Sequence, residues 1–303
     1  MYDMIIIGSG PAGLTAAIYG QRAKLSVLLL EKQPLGGGQV MNTYEVDNYP
    51  GFPGIGGFEL SDKFMSHAKG LGAELCTAQV CGAELSGETK RIVTDKGTFE
   101  GRTVVIATGA VHRKLGVKGE AEYAGKGVSY CATCDGAFFR GKDVAVVGGG
   151  DVALEDALFL ARASRKVYLI HRRDAFRGAK VLQQRVAEAE NIEVIWDTVV
   201  EEIAGADAVE TIALYNRKKE ERSSLAVRGV FIAVGTAPDT ELFGEETALD
   251  EAGYVKAGED CATSCPGVFA AGDVRTKPLR QIVTAAADGA NAVTSVERYL
   301  LEK

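Results

Sequence analysis

Two cysteines three positions apart, in Cys131-Ala132-Thr133-Cys134, are followed at once by Asp135. Thiols at this spacing admit three readings: dithiol–disulfide exchange, half of a zinc site, or chance. Zinc needs two further ligands at compatible spacing. The remaining cysteines pair off as Cys76 with Cys81 and Cys261 with Cys265, outside the domain assigned to the CxxC pair. Redox chemistry therefore leads. Asp135 is a candidate proton donor to a leaving thiolate; its other reading is a turn carboxylate preceding Gly136.

A redox pair needs an electron source, and two glycine-rich turns offer the means to hold one. Gly8-Ser9-Gly10-Pro11-Ala12-Gly13 follows the apolar run Met4-Ile5-Ile6-Ile7 and opens an alanine-rich helical stretch; a second apolar run, Val27 to Leu30, ends at Glu31. Gly148-Gly149-Gly150-Asp151-Val152-Ala153 repeats the arrangement, between Val144-Ala145-Val146-Val147 and a strand that ends at His171. The register is the same in both copies: Gly8 to Gly148 is 140 positions (148 − 8), and so is Glu31 to His171 (171 − 31). One such motif is a weak signal, but two whole βαβ units in register are a strong one. In each, the first glycine permits a tight turn and the second lets backbone approach a pyrophosphate. Gly13 or Ala153 then allows close helix–strand packing, and the phosphates rest on the helix N-terminus.

The copies differ where a nucleotide ribose is read. Glu31 offers a carboxylate to ribose hydroxyls, which suits FAD or NAD and repels a 2′-phosphate. The second copy offers His171, Arg172, Arg173 and Arg177 instead. Guanidinium groups clustered there suit bidentate capture of the 2′-phosphate of NADPH. Further segments place the flavin on the first copy. Residues 34–57 form a Gly/Pro-rich loop that includes Gly38, Gln39 and Asn48, and long irregular loops in compact domains are usually functional. The strand ending at Thr108-Gly109 closes the first pass. Val268 to Ala271 leads into Gly272-Asp273, where the carboxylate can meet a ribityl hydroxyl, and a helix starting near Arg280-Gln281-Ile282 would aim its positive end at the flavin ring.

The fold expected is α/β: two Rossmann-like dinucleotide-binding domains, each three-layered on a parallel sheet. The FAD domain is discontinuous, residues 1–112 and 242–303, around an NADPH domain of residues 113–241 that carries the CxxC pair. Crossovers near 111–115 and 237–243, with Arg113, Lys114, Pro238 and Asp239, would serve as a hinge.

Bulk properties fit. The 303 residues suffice for two cores. A net charge of −7 without a basic stripe argues against nucleic acid, and no apolar stretch approaches a bilayer span. The N-terminus opens directly on a strand, leaving no room for a signal peptide, so a cytoplasmic setting is expected. Cysteines there are more often catalytic, metal-binding or inert than a disulfide scaffold. Cys76, Cys81, Cys261 and Cys265 read as packing or incidental, His67 and His112 as structural, and the mixed-charge run from Arg217 to Arg222 as a solvated turn between strands.

Together these segments resemble the bacterial low-molecular-weight thioredoxin reductases, from Tyr2 to Leu301. Glutathione reductase-like relatives carry their active disulfide soon after the first βαβ unit, where this chain has no cysteine. The peroxide-reductase flavoproteins carry an extra N-terminal domain. Asp151 departs slightly, standing where some members have asparagine. The resemblance implies FAD and NADPH as cofactors, thioredoxin as partner and a homodimer. It also implies a cycle in which the NADPH domain rotates between half-reactions, with Cys134 nearer the flavin and Cys131 attacking the thioredoxin disulfide. A dithiol oxidase, or a reductase of another small disulfide protein, is the alternative.

Overall fold

The run Met4-Ile5-Ile6-Ile7 shows no polar alternation because both faces of its strand are covered, the signature of a parallel sheet packed on two sides. The computed structural model describes residues 1–43 and 45–303; Tyr44, inside the 34–57 loop, lies outside the described residues. The chain divides into two compact units, Met1–Val111 with Ala237–Lys303, and His112–Thr236.

The first unit opens with β1 (Tyr2–Ile7), α1 (Pro11–Arg22), β2 (Val27–Glu31), α2 (Gly57–Gly70), β3 (Glu74–Thr77), β4 (Val80–Glu84), β5 (Lys90–Thr94) and β6 (Gly97–Ile106). β1 pairs in parallel with β2 and β6, β2 with β3, while β5 pairs antiparallel with both β4 and β6. Pro11 sits in the first turn of α1, where its missing N–H costs nothing. Alternate residues of β1 serve opposite cores. Met4 and Ile6 pack with Leu14 and Ala16 of α1, whereas Ile5 and Ile7 pack with Leu28, Val104 and Phe243. Each fully buried Ile or Leu stabilises by roughly 1.5–3 kcal/mol, so a polar residue at any of these positions threatens the sheet.

β7 (Ala110–His112) leads out of this pass. The second unit holds β8 (Val128–Ser129), α3 (Ala132–Asp135), β9 (Asp143–Gly148), α4 (Asp151–Ala161), β10 (Lys166–Ile170), α5 (Lys180–Glu188), β11 (Ile192–Ile195), β12 (Thr198–Gly205), β13 (Val209–Asn216), β14 (Glu221–Ala226) and β15 (Gly229–Ala233). Its main sheet has the order β11-β10-β9-β15-β8 and is parallel throughout. Val144 and Val146 face Ala153, Leu154 and Ala157 of α4, and Ala145 and Val147 face Val200, Ile203 and Ile212. The layer opposite the helices is thus an antiparallel sheet, β12-β13-β14, whose outer face meets water. Residues 217–220 make the turn between β13 and β14.

β16 (Thr236–Pro238) pairs with β7, joining the two crossovers in a two-stranded sheet. β17 (Val268–Ala270) then adds in parallel to the C-terminal half of β6, and α6 (Ile282–Leu301) packs its Val293 and Val296 onto the α1 side. Gln281 caps α6 in a capping box with Thr284.

Candidate functional site

Cys131 and Cys134 are joined as a disulfide, their Cα atoms 5.4 Å apart. Cys131 is the N-cap of the single turn of α3 and Cys134 lies within that turn, just past the end of β8. The two sulfurs differ in surroundings: Cys131 is half-buried and Cys134 exposed. The Cys134 N–H donates to Cys131 Sγ at 3.2 Å, and Thr133 Oγ1 lies 3.3 Å from the same sulfur. Donors so placed favour a thiolate on Cys131 once the bond opens. The Cys131 N–H donates to Ser129 Oγ at 3.0 Å. Asp135 is half-buried, its N–H donating to the Cys131 carbonyl at 3.2 Å. Behind the pair, the Tyr130 hydroxyl donates to Glu120 Oε1 at 2.6 Å, and the Leu115 and Gly116 N–H groups donate to the same carboxylate. Burial pushes the Glu120 carboxyl up, but these hydrogen bonds outweigh it and hold its pKa below the ordinary value.

Because β8, β9, β10 and β15 run parallel, the cysteines, the second glycine turn and the arginine-bearing loop all leave one edge of one sheet. In open α/β sheets this carboxyl edge is where ligands bind. A methyl on Gly148 would collide with the Ala233 carbonyl, and one on Gly149 with the His171 ring, whereas one on Gly150 would meet open space. Gly150 is therefore where a phosphate has room. Asp151 and Val152 are exposed and Ala153 is fully buried, close against Gly148. Arg172, Arg173 and Arg177 are exposed, and none forms an ion pair among the described residues. His171 differs from them. It is 4% exposed, its Nε2 lies 3.1 Å from the Ala175 carbonyl, and its ring packs against Phe176 and Trp196. Burial lowers its pKa, so a neutral ring supports the loop from beneath while the arginines face outward.

In the first unit, Gly8 is left-handed at φ 101°, and a side chain there would strike the Ala107 carbonyl; a methyl on Gly13 would overlap the Gly8 carbonyl. Gly10 has nothing within 4 Å of where its Cβ would lie. Ala12 is buried and Pro11 half-buried beside it. Glu31 Oε2 accepts from the Ser9 N–H at 3.0 Å and hydroxyl at 2.5 Å, and Oε1 from the Gln33 N–H at 2.8 Å. A carboxylate has lone pairs beyond these. Gly38 lies against Gly10, and Gln39 Nε2 donates to the Ala110 carbonyl at 2.9 Å. Asn48 Nδ2 donates to Gln281 Oε1 at 2.9 Å, tying the long loop to the start of α6 beside Ile282. Thr108 Oγ1 donates to the Asp239 carbonyl, and the Asp239 N–H to the Gly109 carbonyl, at 2.7 and 3.1 Å. Gly272 is left-handed at φ 83°, which turns the chain at the end of β17. The Asp273 Oδ1 that follows is buried without a hydrogen-bond partner. Burial raises its pKa, against the pull of Lys277 and Arg280. Arg280 stacks its guanidinium 3.8 Å from the Tyr254 ring centroid. An orphaned buried acceptor at one turn and open space at another, on the same sheet edge, fit a dinucleotide.

Several supporting residues escaped the sequence reading. Asp288, in α6, accepts from Arg275 at 2.6 and 2.9 Å, from Lys277 at 2.7 Å and from the Gly272 N–H at 2.9 Å, all buried. Burial alone would raise its pKa, but these partners outweigh it. Asp288, followed by Gly289 in α6, carried no signal in the sequence beyond its type. Ser9 and Glu120 carried no signal beyond their type.

The pyridine nucleotide-disulphide oxidoreductase family profile matches residues 2–289. Thioredoxin reductase of Listeria innocua is 47% identical over 303 residues, covering all of this chain and 95% of that protein, and that of Bacillus subtilis is 44% identical, covering 100% and 96%. The crystal structure of Lactococcus lactis thioredoxin reductase matches with a TM-score of 0.98 at 45% identity, covering 100% of both chains. The T. acidophilum thioredoxin reductase structure matches at 0.94 and 36%, covering 99% and 98%. With its two nucleotide turns and its disulfide, the chain belongs to the pyridine nucleotide-disulphide oxidoreductase family, in its thioredoxin reductase branch.

Proposed function

We propose that this oxidoreductase is an NADPH-dependent thioredoxin reductase, passing electrons from NADPH by way of FAD to Cys131–Cys134 and on to oxidised thioredoxin. The observation that carries the reading is the Cys131–Cys134 disulfide on the same sheet edge as an outward-facing arginine cluster. FAD supplies the two-electron chemistry that connects a hydride donor to a disulfide. Gly8, Gly10, Pro11, Ala12, Gly13, Glu31, Gly38, Gln39, Asn48, Thr108, Gly109, Gly272, Asp273, Arg280, Gln281 and Ile282 would hold it. Gly148, Gly150, Val152 and Ala153 would form the NADPH phosphate turn, with Arg172, Arg173 and Arg177 on the 2′-phosphate.

The chain's own chemistry is thiol–disulfide exchange. Two electrons open the Cys131–Cys134 bond. The Cys131 thiolate, favoured by the Cys134 N–H, attacks one sulfur of the partner's disulfide and forms a mixed disulfide. The leaving thiolate takes a proton, for which Asp135 is the candidate donor. Cys134 then attacks Cys131, releases reduced partner and restores the internal disulfide. Such chemistry suits a reducing cytoplasm, and among the described residues no helix is long and apolar enough to cross a membrane. The test is anaerobic NADPH oxidation by the purified protein with thioredoxins from the same source. Consumption in proportion to thioredoxin disulfide is expected. Consumption that needs oxygen instead would point to a dithiol oxidase.

A further inference from the structure

The arginine-bearing loop is tied back onto the second glycine turn at three points, one of which is a side chain. The Arg177 and Gly178 N–H groups donate to the Gly149 carbonyl, at 2.8 and 3.3 Å. The Ala179 N–H donates to Asp151 Oδ1 at 2.6 Å. Asp151 is the first residue of α4, and Ala179 immediately precedes α5. One carboxylate therefore lies at the positive ends of two helices. α5 has no side-chain cap of its own. Loop and helix are also closely packed, since a methyl on the buried Gly178 would press on Leu154 and on Asp151.

A carboxylate beside a nucleotide phosphate is electrostatically adverse, yet here its oxygen is committed to the neighbouring loop. We propose that Asp151 is a positioning residue for coenzyme choice: by holding the Ala179 N–H it fixes Arg172, Arg173 and Arg177 for the 2′-phosphate and does not itself bind the coenzyme. This rests on the reading of those arginines as 2′-phosphate ligands. Without the tie, the loop must be ordered at the moment of binding, and that cost falls only on ligands that use the arginines. A ligand lacking the 2′-phosphate is insensitive to it. Asparagine at this position keeps a side-chain carbonyl oxygen and so keeps the tie.

Two probes separate these effects: adenosine 2′,5′-bisphosphate and adenosine 5′-monophosphate, titrated by calorimetry into the flavin-loaded protein. For Asp151→Ala, the bisphosphate is expected to weaken about tenfold, the size of one lost charge-assisted hydrogen bond, and the monophosphate less than about twofold. Asp151→Asn should keep the wild-type ratio of the two affinities. Amide hydrogen exchange at Arg177, Gly178 and Ala179 of the coenzyme-free protein should speed up in Asp151→Ala and stay slow in Asp151→Asn. If Asp151→Ala yields no flavin-loaded protein, Ala179→Pro deletes the same hydrogen bond from the donor side. The Ala179 φ of −56° already suits proline, and the same selective loss is expected. Equal weakening of both probes, unchanged exchange in a variant that lacks the tie, or Asp151→Asn behaving as Asp151→Ala overturns the proposal. Arg172→Ala runs alongside. If it weakens the bisphosphate and Asp151→Ala does not, the tie is wrong and the arginine reading stands. If it changes neither probe, the arginine reading fails and takes the tie with it.

Discussion

Opening the Cys131–Cys134 bond leaves two sulfurs in unlike surroundings. Cys131 has the Cys134 N–H and the Thr133 hydroxyl beside it, while Cys134 is exposed. Neither cysteine anchors a core, so Cys131→Ser and Cys134→Ser are expected to retain flavin and its reduction by NADPH while losing thioredoxin reduction. Flavin absorbance under anaerobic NADPH, read beside a thioredoxin assay, checks this; loss of flavin from either variant would make the pair structural. Cys261 is the contrasting thiol. It is fully buried, its Sγ lies 3.4 Å from the Asp288 carbonyl, and burial pushes its pKa up to about 12. Such a thiol is inert. Cys265 is half-buried, and burial raises its pKa as well. The double variant Cys261→Ser with Cys265→Ser should therefore turn over near the wild-type rate. A large fall at unchanged melting temperature would reveal a second redox centre.

At the scale of elements, the glycine turns separate two duties that one motif combines. Gly13 serves packing, since a methyl there overlaps the Gly8 carbonyl, whereas Gly10 faces open space. Gly13→Ala should lower the melting temperature, at a cost of about 1–3 kcal/mol for overpacking. Gly10→Ala should leave the melting of the flavin-free protein unchanged and weaken flavin retention. If the two variants behave alike, the second glycine is not a phosphate approach. The loop after β10 bears the matching test for the second turn. Removing Arg172 or Arg177 should weaken NADPH ten- to hundredfold, roughly 1.5–3 kcal/mol, and NADH far less. Steady-state KM values for the two coenzymes decide it, and equal losses would remove the arginines from phosphate recognition. The turns and the helices that follow them were legible because glycine, proline and alanine at fixed offsets are demanded by local geometry. The antiparallel sheet β12-β13-β14 was not. Its partner to the parallel sheet is chosen by which apolar faces are left over, and Val200, Ile203 and Ile212 reveal that only once packed.

On the scale of the whole molecule, two units are joined by two crossovers that pair as β7 and β16. The first unit is built from both ends of the chain, with β17 adding to β6 and α6 packing beside α1. Its completion thus depends on segments far apart in sequence. Deleting residues 268–303 should remove flavin binding, because Asp273 and the capped start of α6 go with them and the α1 core loses Phe269, Val293 and Val296. Flavin content of the truncated protein checks this, and retention at wild-type stoichiometry would place the cofactor elsewhere. The intact chain is expected to sediment as a homodimer, at twice its 32.0 kDa; a concentration-independent monomer would contradict that.

Sequence by itself determined the repeat and the redox pair, and marked in each copy the positions at which a nucleotide would be read. Each of these rests on residues whose chemistry is local: glycine where a Cβ collides, paired thiols three positions apart, a carboxylate against a guanidinium cluster. The tertiary structure alone decided how those groups are supported. The ring of His171 turned inward beneath the loop because Phe176 and Trp196 offered it an apolar bed, while its arginine neighbours stayed in water. Asp288 found Arg275 and Lys277 across a helix–loop contact, and Asp273 was left with an unpartnered buried oxygen. Burial and partnership are properties of neighbours in space, and the chain brings those neighbours together only by folding.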